Sequence, residues 1–455
     1  MSWTVISHNA VEYTLRQLLR VAFPPEGMTF RVENGDGRVN VFVDGVKITI
    51  PFMADTERHA FLDGKMNPLW VDNARGTMKI PVFHHQGYDE NAICTVSTEG
   101  IDVFCDLISP AFVLLSRFEE YYPKGEDAYE RFPFEVSLAK MYNMVEIPLV
   151  DEYAMLLRKW LCQNFPDKFA VVPRTPRIVP THDIDHLYRF TSRFQALKSI
   201  FGRDLLINRD KEMVRKSLQE FRKWKLDASE DPYFRAIMEF ATKENTAGLE
   251  SVFFFKALHD GEDDATYDIR DARLGRIWEH LSIKHCQIGL HGSYNSIEES
   301  DLLAKERERM EKCLADYGLS VRIGRQHYLR ARFYYDENPH TLDIWQDTGI
   351  TDDYTLGFAE RCGFRCGTCH PYSLYDVRND CETNITEHPL IVMDGTLFDY
   401  MKLSVEDARA LTQRLKQRCL DVEGDFVILW HNHATTREFE TYYNTVYLPL
   451  LTNDY

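Results

Sequence analysis

Two hydrophobic rhythms follow one another along the chain, and the change between them falls near residue 170. Residues 30–32, 39–43 and 46–50 alternate apolar and polar side chains with a period of two, and Asn34-Gly35-Asp36-Gly37 and Asp44-Gly45 separate them. That pattern predicts short strands joined by tight turns. The stretch preceding them has the spacing of an amphipathic helix. So do residues 112–122 and 152–162, where Tyr153, Leu156, Leu157 and Trp160 share one face. Residues 1–170 are therefore expected to form a small α+β domain. It carries no chemical motif, and its His8, His84 and His85 read as solvated or capping residues.

A proline-rich entry at 171–180 opens the second rhythm. Short apolar runs at 177–179, 251–255, 287–290, 321–324 and 427–430 now alternate with helical spacing at 232–243, 271–281, 298–317 and 406–419. Ser404 with Asp407 three residues on announces the last helix as a capping box. Alternation of this kind predicts a parallel α/β barrel or a doubly wound sheet over residues 171–455. A charged stretch at 203–230 reads as a helical insertion.

Composition narrows the function classes. With 44% hydrophobic and 27% charged residues among 455, the chain can fill a core of its own. A net charge of −18 with no run of Lys and Arg argues against nucleic acid or an anionic membrane as partner. The opening stretch holds Glu12 and Arg16 and lacks a cleavage pattern, so no signal peptide is expected. No segment is apolar for long enough to span a membrane. Ten cysteines in such a chain fit reduced thiols and a cytoplasmic location.

Chemistry concentrates where the apolar runs end. One runs into Thr181-His182-Asp183-Ile184-Asp185-His186, a second into His291-Gly292-Ser293-Tyr294-Asn295, a third into Arg325-Gln326-His327-Tyr328 and the last into His431-Asn432-His433. In parallel α/β folds the carboxyl ends of the strands share one rim, and active sites are built there. Asp183 and Asp185 stand two apart and would share a face in extended chain. Two such carboxylates can divide labour, one binding a cation and one acting as a base, or either can cap the next helix.

In these residues the chain resembles the polysaccharide deacetylases (the chitooligosaccharide deacetylase homology domain), as a divergent bacterial subgroup with an added N-terminal domain. The likeness spans roughly residues 175–440. Thr181-His182-Asp183-Ile184-Asp185 is similar to the family's first motif, His291 to the first histidine of its His-Ser/Thr-x-x-His motif, and Arg325 to its arginine motif. Asp353 matches the aspartate of a following turn, and Leu429-Trp430-His431 the closing Leu-x-His. The resemblance implies a distorted parallel (β/α) barrel and metal-dependent deacetylation of a carbohydrate-like substrate linked to surface polysaccharide. It implies Asp183 as base, His431 as acid, Arg325 and Asp353 as their supports, and Asp185 and His291 as ligands of a divalent metal, zinc before manganese or magnesium. Asn295 stands where the second ligand histidine would be, and an amide is a poorer zinc ligand than imidazole. His186, His327 or His433 could replace it. Alternatively the barrel has lost turnover and binds carbohydrate or an assembly partner.

Other motifs weigh less. Cys362-x3-Cys366-x2-Cys369 has the spacing of an iron–sulfur motif, or with Cys381 of a zinc knuckle, but reads first as buried thiols in a glycine-containing loop. Neither a Gly-x-Gly-x-x-Gly nor a Walker sequence follows any predicted strand, and Gly-x-Ser-x-Gly is absent. Tyr188, Tyr294, Tyr328, Tyr354 and Trp430 lie close to the polar clusters and could stack on a sugar ring.

Overall fold

The computed structural model describes residues 6–24, 28–35, 37–85, 93–121, 125–207, 209–258, 267–334 and 340–451. Residues 1–5, Asp36 and Tyr122, on which some of the sequence expectations fall, lie outside that set.

The period-two segments become β1 (Phe30–Gly35), β2 (Arg38–Val43) and β3 (Val46–Pro51), paired antiparallel in register. Val39, Val41 and Val43 face Ile50, Ile48 and Val46 across the β2–β3 ladder, and all six are buried. Asp44 and Gly45 both take positive φ between these strands, the backbone a two-residue hairpin requires. A small pair, β4 (Leu69–Asp72) and β5 (Lys79–Val82), follows. The first sheet is then completed by β6 (Cys94–Val96) and β7 (Gly100–Val103) in the order β1-β2-β3-β7-β6. The helix expected over 112–122 instead spans Ile108–Leu115. It stops because Arg117 takes a left-handed φ of 54°, from which its buried guanidinium bonds Glu119, Glu120 and the carbonyl of Arg365.

Strands at the centre of the second half's sheet are apolar on both faces, the signature of a parallel sheet covered by helices, and the sheet has nine strands among the described residues. These are β8 (Arg177–Ile184), β9 (Val252–Lys256), β10 (Gln287–His291), β11 (Ile323–Arg325), β12 (Asp352–Asp353), β13 (Tyr372–Asp376), β14 (Cys381–Glu387), β15 (Val392–Met393) and β16 (Asp425–Leu429). Their order is β13-β14-β12-β11-β10-β9-β8-β16-β15, and every pair is parallel except β13–β14. Phe253, Phe255, Ile288 and Leu290 point outward into the main core, where they meet residues of the helices Pro232–Thr246 and Leu274–Ile283. Val179, Val252, Phe254, Tyr354, Leu390, Val427 and Leu429 point inward and form a separate small core.

This inner core exists because the sheet curls. β8 and β11 are three positions apart, which in a flat sheet is about 14 Å. Yet the Arg325 guanidinium on β11 lies 2.8 Å from the Asp183 carboxylate on β8. The barrel expected from the sequence is not closed by strand pairing among the described residues: β13 and β15 are edges, and β13 runs against its neighbour. Loop hydrogen bonds bridge part of the gap, the Leu390 amide donating to the Leu356 carbonyl at 3.1 Å. Described residues of the first half pack against this one. Tyr13 donates to the Ser373 carbonyl, and Arg365 bonds the buried Glu120 carboxylate at 2.7 Å.

Candidate active site

The alternation of β8 decides which of its polar residues meet. His182 faces outward, between the Trp430 carbonyl at 2.7 Å and the buried Glu244 carboxylate at 3.0 Å, and helps join sheet to helix. Thr181 and Asp183 face inward. Arg325 bonds both, reaching Thr181 Oγ1 at 3.1 Å and Asp183 Oδ1 at 2.8 Å. Its Nε donates to the Tyr354 carbonyl, and its plane stacks 4.4 Å from the Phe254 ring. Burial alone would raise the Asp183 carboxyl. The charges of Arg325 and His291 outweigh it and hold the group well below the usual carboxylate range.

Beside this pair, Asp185, His291 and His327 each offer a ligand atom, and these atoms lie within 4.8 Å of one another. His291 Nδ1 faces its neighbour's carbonyl, Gly292 O, at 3.0 Å. Donation there leaves Nε2 to face the carboxylates, 3.4 Å from Asp183 and 3.7 Å from Asp185. Two ligands about 2.1 Å from one tetrahedral ion would stand about 3.4 Å apart. Asp185 Oδ1 is buried and accepts no hydrogen bond among the described residues. A carboxylate oxygen in that condition, flanked by two imidazoles, fits a divalent cation. Lys256, at the end of β9, adds a fixed positive charge. Its Nζ lies 3.5 Å from Asp185 Oδ1 and 3.2 Å from His327 Nε2.

Asn295, expected as a ligand, stands in the 3-10 turn Tyr294–Ile297 and is not among the residues lining the cavity. The reason is local. Residues four apart meet on an α-helix, but here the chain leaves β10 through a 3-10 turn, and His327, just beyond the adjacent strand β11, stands with Asp185 and His291.

On the other side stands His431, following β16. Asp394, directly after β15, accepts from His431 Nδ1 at 2.7 Å and from its backbone N–H at 2.8 Å. His431 Nε2 is thereby aimed at the site, 3.6 Å from Asp185. Burial opposes charge on His431, but Asp394, Asp185 and Asp183 push it up to about 9. His433, buried alongside and repelled by His431, is pushed down to about 4. Asp183, Asp185, His291, His327, Asp394, His431 and His433 line one cavity of about 210 Å³. Tyr328, Phe398 and Tyr400 give it an aromatic wall, and Arg131 from the first half closes one side, its guanidinium on the Tyr328 carbonyl.

Asp353 does not join this constellation. In β12 it looks away from Tyr354 and takes hydrogen bonds from Trp345 Nε1 at 2.9 Å and the Thr355 amide at 3.0 Å. Burial raises its carboxyl, and burial with the charge of Asp353 raises that of neighbouring Glu387, outside the site. The support assigned to Asp353 for His431 is held in the structure by Asp394. Cys362, Cys366 and Cys369 are buried with their thiols pushed up by burial, whereas Cys381 is exposed.

Comparison with known proteins adds little to this geometry. Residues 6–166 match a family of unknown function (DUF7033). No curated protein matches the chain. Among solved structures, a Mycobacterium smegmatis protein described as a polysaccharide deacetylase is similar at 14% identity, with 63% of this chain and 87% of that one covered, at a TM-score of 0.38. A score of that size lies below the level at which two folds are called the same. Among the described residues, no helix is long and apolar enough to cross a membrane.

Proposed function

We propose that the chain is a metal-dependent hydrolase that removes an acyl group, as a deacetylase does, from a carbohydrate-like substrate. The observation that carries this reading is the convergence on one cavity of a buried Asp–Arg pair, an Asp–His–His cluster and an Asp–His pair. Asp185, His291 and His327 would hold the cation. A divalent ion there supplies Lewis acidity, polarising an acyl carbonyl and making water a stronger acid.

The protein's own groups divide the proton work. Asp183, kept ionised by Arg325, is the base that takes a proton from the attacking water. His431, kept protonated by Asp394, is the acid that delivers a proton to the departing amine or alkoxide. Two groups whose surroundings drive their protonation apart in this way form an acid–base pair at neutral pH. Products would be acetate and the free amine or hydroxyl. The walls of Tyr328, Phe398 and Tyr400 suit a sugar ring, whose C–H face packs on aromatics. Zinc, manganese or magnesium could serve, and zinc suits two imidazoles best.

The test is acetate release from N-acetylated and O-acetylated oligosaccharides by protein loaded with Zn²⁺ or Mn²⁺. Asp183→Asn should abolish turnover without lowering metal content, and a chelator should do so reversibly. Wild-type rates in Asp183→Asn would refute the assignment.

A second reading rests on Lys256, whose ammonium already stands 3.5 Å from Asp185. It would give the cluster its positive charge without a metal and leave a carbohydrate-binding pocket that has lost turnover. Absence of stoichiometric divalent binding together with absence of acetate release would favour it.

A further inference from the structure

The insertion between β8 and the helix Pro232–Thr246 breaks the rule that surface helices turn polar residues outward. Helical residues 193–207 pack Ala196 and Ile200 inward with Phe190, against Val214, Leu218, Phe221 and Trp224 around the next helix, Lys211–Leu226. That contact satisfies one apolar stripe. A second, formed by Phe194, Leu197, Phe201 and Leu205 with Leu206 beside it, faces solvent. Phe194 is 79% exposed and Leu206 72%, and Leu226 at the end of the neighbouring helix is 90% exposed. No other stretch of the described chain exposes as many large apolar side chains together.

Charge supplies an independent observation. Residues 193–226 contain ten Lys and Arg against four Asp and Glu, in a chain whose net charge is −18. Arg193, Lys198, Lys211, Arg215, Arg222, Lys223 and Lys225 are exposed. A stripe of exposed aromatic and aliphatic residues rimmed by long cationic side chains is the composition of a helix that lies in a membrane interface: the apolar stripe enters the acyl boundary and the cations stay among the headgroups. The rest of the chain's negative charge does not forbid this, because charge more than about 10 Å away is screened at physiological salt.

We propose that the insertion 193–226 docks this protein peripherally on an anionic lipid bilayer. A second copy of the chain fits less well, because a symmetric contact through this patch would press two net-positive segments together. The placement has a use. Lys216 pairs with Glu440 at 2.5 Å, and Arg437 and Arg189 both bind the buried Asp204, which fixes the insertion beside the segment that leaves His431. The insertion is therefore anchored to the segment that follows His431 of the cavity. Docking itself does not depend on the chemistry assigned to the cavity.

The test is co-sedimentation of the full-length protein with phosphatidylcholine vesicles with and without phosphatidylglycerol, no substrate being present. Binding should require phosphatidylglycerol and weaken with salt. Phe194→Ser with Phe201→Ser, and separately Lys211→Glu with Arg215→Glu, should each lower partitioning about 10-fold or more. All four positions are solvent-accessible, so circular dichroism and Tm should be unchanged in both variants. Absence of binding to phosphatidylglycerol vesicles overturns the proposal, as does binding that survives either pair of substitutions. Sedimentation velocity that finds a dimer broken by Phe194→Ser and Phe201→Ser, without vesicle binding, overturns it in favour of a second copy.

Discussion

Replacing Asp394 by Asn should change the protonation of His431 more than any other single substitution in the cavity. Asp394 contacts the imidazole through Nδ1 at 2.7 Å and contributes the largest of the effects that favour the charged ring, while burial works against them. The distance from 6.5 to about 9 corresponds to roughly 3 kcal/mol of preference for imidazolium. Asp185 and Asp183 supply part of it, so the loss in Asp394→Asn is expected at about 2–3 kcal/mol. Without Asp394, only Asp185 and Asp183 oppose burial, and His431 should titrate about 1.5–2 pH units lower, at roughly 7. The assay is NMR titration of ¹⁵N-imidazole-labelled, metal-free protein, with the His431 resonance identified by His431→Gln. Stability gives a second readout. The fold favours the proton, so the Asp394–His431 pair contributes fully below about pH 6.5 and loses its contribution as pH rises through about 9. Asp394→Asn should thus destabilise strongly at pH 6 and little at pH 10. If His431 in the variant still titrates above about 8, the account of the pair is wrong.

Three further outcomes are expected. His327→Ala should weaken Zn²⁺ binding by about 100-fold or more in calorimetry, and Asn295→Ala should leave it nearly unchanged; the reverse would return Asn295 to the ligand set. Arg325→Met should cost about 3–5 kcal/mol in denaturant unfolding by stranding the buried Asp183 carboxylate, and adding Asp183→Asn should recover part of the loss. Glu152 is buried away from the cavity and pushed up to about 7 by that burial, which its hydrogen bond from Asn73 only partly opposes. Its folded state holds a proton that the unfolded chain releases near 4.5, so stability falls as pH rises between those values. Glu152→Gln should then raise stability by about 2 kcal/mol at pH 8 and by almost nothing at pH 4 when melting curves are compared.

Much of the cavity was legible in the sequence because strands buried on both faces print as apolar runs, and the polar residue that ends each run stands on the rim. Asp183, Asp185, His291, Arg325 and His431 were all marked by that rule, and the structure brings them together. Asp394 escaped it because β15 has two residues, too few for any period, although Val392-Met393-Asp394-Gly395 is an apolar pair running into an acid. Lys256 carries no motif, although it ends an apolar run and occupies the same rim position as His291 on the next strand. Asp353 shows the opposite failure. Motif likeness selected it, but side chains alternate along a strand, and one position decides whether a carboxylate looks into the cavity or at Trp345. Arg131 carried no motif at all, because its part in the site depends on how the first half packs on the second. The parallel α/β sheet is legible in the sequence, but its closure is not: the antiparallel β13 and the two-residue β15 leave the ladder open among the described residues.

The strand order also bears on how the chain emerges during synthesis. β8 is the first strand of its sheet to be made, yet its partner on one side is β16, residues 425–429, the last. Until those residues leave the ribosome, β8 presents an apolar strand with a bare hydrogen-bonding edge to solvent. Nascent chains of this protein should therefore lean on chaperones late in translation, and truncation before residue 425 should yield aggregates rather than a smaller soluble protein.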